Sequence, residues 1–153
     1  MATEPRVLTV NGQRHDIRSA PATPLIDVLR NELGLTGTRY GCGLEQCGSC
    51  LVLEGGVATY ACTRAAGDVR ADITTIEGLA GDPLVAAFIE HQAGQCGYCL
   101  SGIIVAARGL LNRNPNPTRA EMAFALDGNL CRCGSHLRIL RAVAAVARMG
   151  SPA

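Results

Sequence analysis

The chain has 153 residues, with 14 Lys+Arg against 13 Asp+Glu and a formal net charge of +1; without a long basic stripe, nucleic acid is a poor partner. Hydrophobic residues make up 48% but aromatics only 3%, and Trp is absent, so the core of one or two small domains is built from Leu, Val, Ile and Ala. No apolar run is long enough to span a membrane and the residues from Met1 to Arg6 do not resemble a signal peptide, so the expected location is cytoplasmic, where thiols stay reduced.

The first half reads as strands around one helix. Residues 7–10 and 13–17 flank Asn11-Gly12, a strong hairpin signal. Thr23 and Pro24 mark a helix start, with Pro at the first helical position where a missing N–H costs nothing. Leu25, Ile26, Val28, Leu29 and Leu33 form its apolar face, and Gly34 its stop. Strands at 51–54 and 57–61 turn through Gly55-Gly56. A two-residue turn pairs positions whose numbers sum to about 111, so Cys50 faces residue 61 and Cys62 returns beside it.

After residues 73–77, Gly78, Gly81, Asp82 and Pro83 form a linker, dividing the chain into domains 1–78 and 82–153. Beyond it the period becomes helical. Helices are expected over 84–92 and 102–111, then, after the turn at 112–117, from Thr118 with Glu121 as a capping box to about Asp127-Gly128. The fourth runs from about His136 to Met149, with Leu137, Leu140, Val143, Ala144 and Ala147 on one face. Four such helices make a small bundle.

Eight cysteines stand in two sets of four. Cys42, Cys47, Cys50 and Cys62 are spaced C-x4-C-x2-C-x11-C, and Cys96, Cys99, Cys131 and Cys133 are spaced C-x2-C-x31-C-x-C. The first is the plant-ferredoxin spacing, in which four thiolates hold a 2Fe–2S cluster. Zinc is the competing reading, since paired C-x2-C units are its usual donors; disulfides belong to oxidising compartments. Gly41, Gly43 and Gly48 alternate with the first cysteines, letting the backbone curl and aim N–H groups at cluster sulfurs, and this favours iron and sulfide. Cys96 and Cys99 fall before the second helix and Cys131 and Cys133 before the fourth, so two positive helix ends face one anionic site. Ser49 either donates to a sulfur or faces solvent. His15 and His91 read as solvent or local hydrogen-bond groups, His136 as a neighbour of the second set, and Tyr98 as packing. No Ser-His-Asp set, P-loop or carboxylate pair is present.

The segments GCGLEQCGSC, ITTIEGL, QCGYC and NLCRCGSHLRIL, in that order, resemble the small iron–sulfur subunit of molybdenum hydroxylases, the family of xanthine dehydrogenase and aldehyde oxidoreductase. The likeness covers nearly the whole chain, and with His136 in NLCRCGSH it looks most similar to small subunits of nicotinate dehydrogenase and isoquinoline 1-oxidoreductase. It implies an α+β fold, a plant-ferredoxin-like β-grasp domain followed by a small four-helix bundle. It also implies two 2Fe–2S clusters, with the bundle cluster beside a molybdopterin cofactor, in its cytosine dinucleotide form, on a large catalytic subunit. Gln95 and Cys133 would approach that cofactor. A flavin or cytochrome c subunit is the further partner, and the holoenzyme would hydroxylate an N-heteroaromatic ring or oxidise an aldehyde. Where the family often has Thr-Pro after the C-x2-C unit, this chain has Leu100-Ser101, and Ser101 is expected to cap the helix instead. The resemblance thus implies an electron-transfer subunit that passes electrons from the partner's cofactor through the two clusters to an acceptor; two other functions compete with this first reading, a free-standing ferredoxin-like carrier and a zinc-stabilised interaction module. The helical half favours the first reading, because a simple carrier needs only the ferredoxin domain.

Overall fold

The Asn11-Gly12 turn takes left-handed angles at both residues (φ 51° and 77°), which matches the twist of the strands it joins. These are β1, Arg6–Val10, and β2, Gln13–Ile17, paired antiparallel with Val10 opposite Gln13. The computed structural model describes residues 6–149. The leader reading of residues 1–5, and residues 150–153 at the end of the second expected domain, lie outside them.

The first helix differs from the expected one. Only Leu25–Asp27 (α1) is α-helical; Val28–Glu32 continues as a wider turn, closed by Leu33 N–H on the Val28 carbonyl five residues back. This lets Leu25, Ile26, Val28 and Leu29, all without exposed surface, share the buried side, each contributing about 1.5–3 kcal/mol by burial. Pro24 is the cap and not the first helical residue: its ψ is 137° and it bridges Ala65. That bridge is the reason, since Leu25 N–H donates to Arg64 O (2.7 Å), Ile26 N–H to Ala61 O (2.9 Å) and Ala66 N–H to Thr23 O (2.9 Å). The chain on both sides of Cys62 is thereby tied to the helix start.

Strands β3 (Leu51–Glu54) and β4 (Val57–Tyr60) pair with Leu51 opposite Tyr60, the expected register, and Ala61 N–H reaches Cys50 O at 3.3 Å. Strand β5, Ile73–Thr74, lies parallel to β1 and antiparallel to β3, completing the sheet order β2-β1-β5-β3-β4. Successive side chains point to opposite faces. Val52 packs with Leu25, Ile26 and Leu29 on one face, while Leu51 and Leu53 join the helical core on the other.

The helices are α2 (Pro83–Glu90), α3 (Leu100–Arg113), α4 (Arg119–Ala125) and α5 (His136–Met149). Asp82 caps α2 through Leu84 N–H and pairs with Arg108 at 2.9 Å. The Thr118–Glu121 capping box is present. The inward face of α5 is Ile139, Ala142, Val143, Val146 and Ala147; Leu137, expected inside, is 61% exposed, and Leu140 and Ala144 are only partly buried. A helix apolar over so wide an arc admits more than one inward orientation, and here the arc centred on Ile139 and Val143 joins the core with α2 and α4 packed against α5.

Besides the packing of Leu51 and Leu53, the sheet half and the helical half meet at Gly48 against Gly102, with no side chain between them. A Cβ built on Gly102 of α3 would lie 1.9 Å from Gly48 O. Gly102→Ala should therefore force the two apart and destabilise the protein by about 1–3 kcal/mol, read as a lower denaturant midpoint of the iron-loaded protein.

Candidate metal centres

The first cysteine set hangs on a loop that leaves the wide turn and enters β3. Positive φ at Gly43 (70°), Glu45 (59°) and Gly48 (72°) curls it, so that N–H groups point inward. Cys42 N–H donates to Cys47 Sγ, and Leu44 and Gln46 N–H to Cys42 Sγ, each at 3.3 Å. The Leu44 and Gln46 amides hold the Cys42 thiol down at about 7, because hydrogen bonds to sulfur favour the thiolate. Cys47 Sγ and Ser49 Oγ are 3.6 Å apart. Ser49 is buried, so of its two expected places the one beside sulfur is taken.

Cys50, at the base of β3, is buried beside the Cys62 thiol; burial, aided by that thiol and opposed by the Cys62 and Ala61 amides, pushes it up to about 12. The sheet thus delivers Cys62 to Cys50 as the register required. Cys42 likewise shares a side-chain hydrogen bond with Cys47. No group of three or more His, Cys, Asp or Glu closes on a single-ion site among the described residues; Cys42 neighbours Cys47, Cys50 neighbours Cys62, and Cys99 neighbours Cys131.

The second set sits where two helices start. Cys99 is the cap position of α3, and Cys131 lies in the turn before α5. Burial, then the Cys131 thiol, pushes Cys99 up to about 12. Burial acts against the Cys131 thiolate too, but N–H groups of Ser135, Cys133 and Gly134, with the Cys99 thiol, outweigh it and lower the Cys131 pKa. Donors at the head of α5 therefore face sulfur, as expected of a helix start. Cys96 is exposed, and Gln95 Nε2–H donates to Cys133 O at 3.4 Å, so Gln95 and Cys133 come together at the outer face.

Ser101 does not cap α3. The helix begins at Leu100, which places Ser101 inside the first turn, where its buried Oγ has no partner among the described residues. His136 holds Asn129 O through Nε2 at 3.3 Å. His15 lies opposite Leu8 in the β1–β2 ladder and His91 closes α2 with its N–H on Ala87 O.

Three links between the two sets escape sequence reasoning. Leu130 N–H donates to Cys47 O at 3.0 Å, joining the residue before Cys131 to a cysteine of the first set. Asn129 Nδ2–H, buried, donates to Gly48 O at 3.3 Å. Tyr98 O–H donates to Tyr40 O, and the Arg39 guanidinium lies 5.6 Å above the Tyr98 ring, so Tyr98 does more than pack. The available signal was that Asn129, Leu130 and Gly48 adjoin cysteines or lie within two residues of one.

Fold and paired thiols define a two-part iron–sulfur protein, and its relatives are of the same kind. Residues 8–80 match the 2Fe-2S iron-sulfur cluster binding domain and residues 75–144 the [2Fe-2S] binding domain. The chain is 49% identical over 141 residues to one subunit of the nicotinate dehydrogenase of Pseudomonas putida, covering 89% of this chain and 90% of that one. It is 45% identical to the alpha subunit of isoquinoline 1-oxidoreductase from Brevundimonas diminuta, over 88% and 91%. Quinoline 2-oxidoreductase from Pseudomonas putida 86 contains a chain that superposes with a TM-score of 0.88 at 36% identity, covering 99% of this chain and 100% of that one. The chain belongs to the family of small iron–sulfur subunits of the molybdenum hydroxylases.

Asn129→Ala would leave the buried Gly48 O with only the long Leu51 N–H bond at 3.4 Å and open space where the side chain packed. The expected cost is about 1–3 kcal/mol, measured by denaturant unfolding of the iron-loaded protein against the parent.

Proposed function

We propose that Cys42, Cys47, Cys50 and Cys62 hold one 2Fe–2S cluster and Cys96, Cys99, Cys131 and Cys133 a second, in the electron-transfer subunit of a molybdenum hydroxylase. The donor set fits. The neighbouring thiols Cys42/Cys47, Cys50/Cys62 and Cys99/Cys131 suit a centre in which each of two irons takes two sulfur ligands, and thiols raised to about 12, as buried Cys50 and half-buried Cys99 are, ionise at neutral pH only beside a cation. When bound, such clusters take up and release single electrons.

This chain's own residues hold and orient. The Leu44 and Gln46 amides donate to Cys42 sulfur, and, against burial, the amides of Ser135, Cys133 and Gly134 around Cys131 lower its pKa; both stabilise negative charge. One observation carries the two-centre reading: a single hydrogen bond, Leu130 N–H to Cys47 O, separates the backbone of one set from that of the other. Gln95 and Cys133, at the exposed outer face, meet the molybdopterin cofactor, in its cytosine dinucleotide form, on the large partner. The first set faces the acceptor side, served by a flavin or cytochrome c subunit, and the assembly works in the cytoplasm. The named relatives belong to enzymes of nicotinate and isoquinoline, which supports hydroxylation of an N-heteroaromatic carbon beside nitrogen as the holoenzyme reaction, ahead of aldehyde oxidation. Residues 1–78 and 82–153 form the two cluster-holding domains.

The purified complex should contain about four irons and four acid-labile sulfides per copy of this chain, and should reduce a dye with nicotinate or isoquinoline. Zinc in place of iron would refute the cluster assignment; turnover of aldehydes alone would refute the substrate class. Cys47→Ala should leave the large subunit bound and its molybdenum reducible by substrate while dye turnover collapses. Normal turnover by that variant would refute the role of the first set.

A further inference from the structure

Charge is unevenly distributed along this nearly neutral chain. Between Leu100 and Met149 there are seven arginines against two acids, Glu121 and Asp127. Arg108 is paired with Asp82, and the other ion pairs among the described residues, Arg64–Glu54 and Arg70–Asp68, lie in the sheet half. The Glu121 carboxylate is occupied by Thr118 N–H and Oγ1 in the capping box.

Three of these arginines, Arg119, Arg141 and Arg148, line one open cavity of about 480 Å³ between α4 and α5, over a floor that includes Met122, Leu140 and Ala144. Arg119, Arg141 and Arg148 are exposed. On α5 the cavity residues continue a stripe toward the second cysteine set. Leu137, Arg141, Ala144 and Arg148 follow one another at spacings of four, three and four, so they share one helix face. That face runs about 16 Å, from exposed Leu137, four residues after Cys133, to the groove.

We propose that the Leu137–Arg141–Ala144–Arg148 face and Arg119 form a docking track for an acidic, partly apolar polypeptide segment of the large molybdopterin-binding subunit. The proposal rests on the reading that such a subunit covers the second cysteine set. Charge selects the occupant. Guanidinium groups bind carboxylates as two-pronged pairs and lie flat on apolar surface, and an acid-poor groove with an apolar floor calls for Asp or Glu alternating with apolar side chains. The cavity lining contains no aromatic ring to stack a base, which favours polypeptide over nucleotide. Continuity of the stripe with the outer face at Cys133 makes the occupant part of the same partner.

The chain contains no lysine, which supplies the test. Arg141→Lys and Arg148→Lys each keep the charge and introduce one side-chain amine, which a carbodiimide couples only to an abutting carboxylate. In the purified holoenzyme complex, the expected result is an isopeptide link from residue 141 or 148 to an Asp or Glu of the large subunit, mapped by mass spectrometry. Arg119→Glu/Arg141→Glu/Arg148→Glu should weaken binding of the large partner about a hundredfold with iron content unchanged, while Arg14→Glu on β2 leaves that binding unchanged. A molybdenum-containing complex with no such link from either lysine, or with parent affinity in the triple variant, overturns the docking track and leaves the electron-transfer role standing. Failure of any molybdenum protein to copurify with the iron-loaded chain overturns both.

Discussion

The close approach of Gly48 to Gly102 is the constraint on which the two centres depend. With no side chain between them, the loop after Cys47 lies directly on the first turn of α3, which begins just after Cys99. That proximity allows Asn129 to reach Gly48 O and Leu130 to reach Cys47 O. A Cβ on Gly48 would itself lie 2.4 Å from Asn129 Nδ2. Three segments, each next to cysteines of one set or the other, are thus locked by close contact, and their spacing does not depend on long, adaptable side chains.

Within each set the thiols are not equivalent. Amides aimed at Cys42 lower its pKa to about 7, and amides near Gly134 and Ser135 lower that of Cys131 against burial, while burial pushes Cys50 and Cys99 to about 12. The sign of the linkage follows. At neutral pH the two raised thiols keep their protons in the metal-free protein, so cation binding must expel them and is favoured as pH rises. A metal-free chain buries these thiols in their neutral form, and the metal converts that burial into a low-dielectric shell around charged sulfur. Folding and loading are coupled at Cys50 and Cys99 above all.

What was legible in the sequence was whatever depends on local spacing. The register that returns Cys62 to Cys50 follows from a two-residue turn at Gly55-Gly56, the capping box from Thr118 and Glu121, and the helix starts around the second set from cysteine position. The family resemblance, carried by four short segments, also holds. What was not legible depends on distant partners. Pro24 becomes a cap because residues 61–66 hold the extended segment at residues 23–24 before α1. Ser101 loses its capping role because α3 starts two residues earlier than that role requires. Leu137 points outward because Ile139 and Val143 take the core side of α5, against which α2 and α4 pack; the 3.6-residue period specifies an arc, and only tertiary packing selects within it.

The β3–β4 hairpin does two jobs that cannot be separated. Its residues alternate between the α1 face, which takes Val52, and the α3 face, which takes Leu51 and Leu53. The same register sets Cys50 at its base against Ala61, with Cys62 next in line. A slip of one residue would turn Leu51 and Leu53 toward α1 and Val52 toward the helical side, and would move Cys62 away from Cys50. Core packing on both faces therefore enforces the thiol pairing, so the geometry of the first centre is protected by apolar burial remote from sulfur. The glycine contact at α3 then transmits that register to the second centre, because α3 rests on the hairpin (Gly109 against Ala58) and begins just after Cys99.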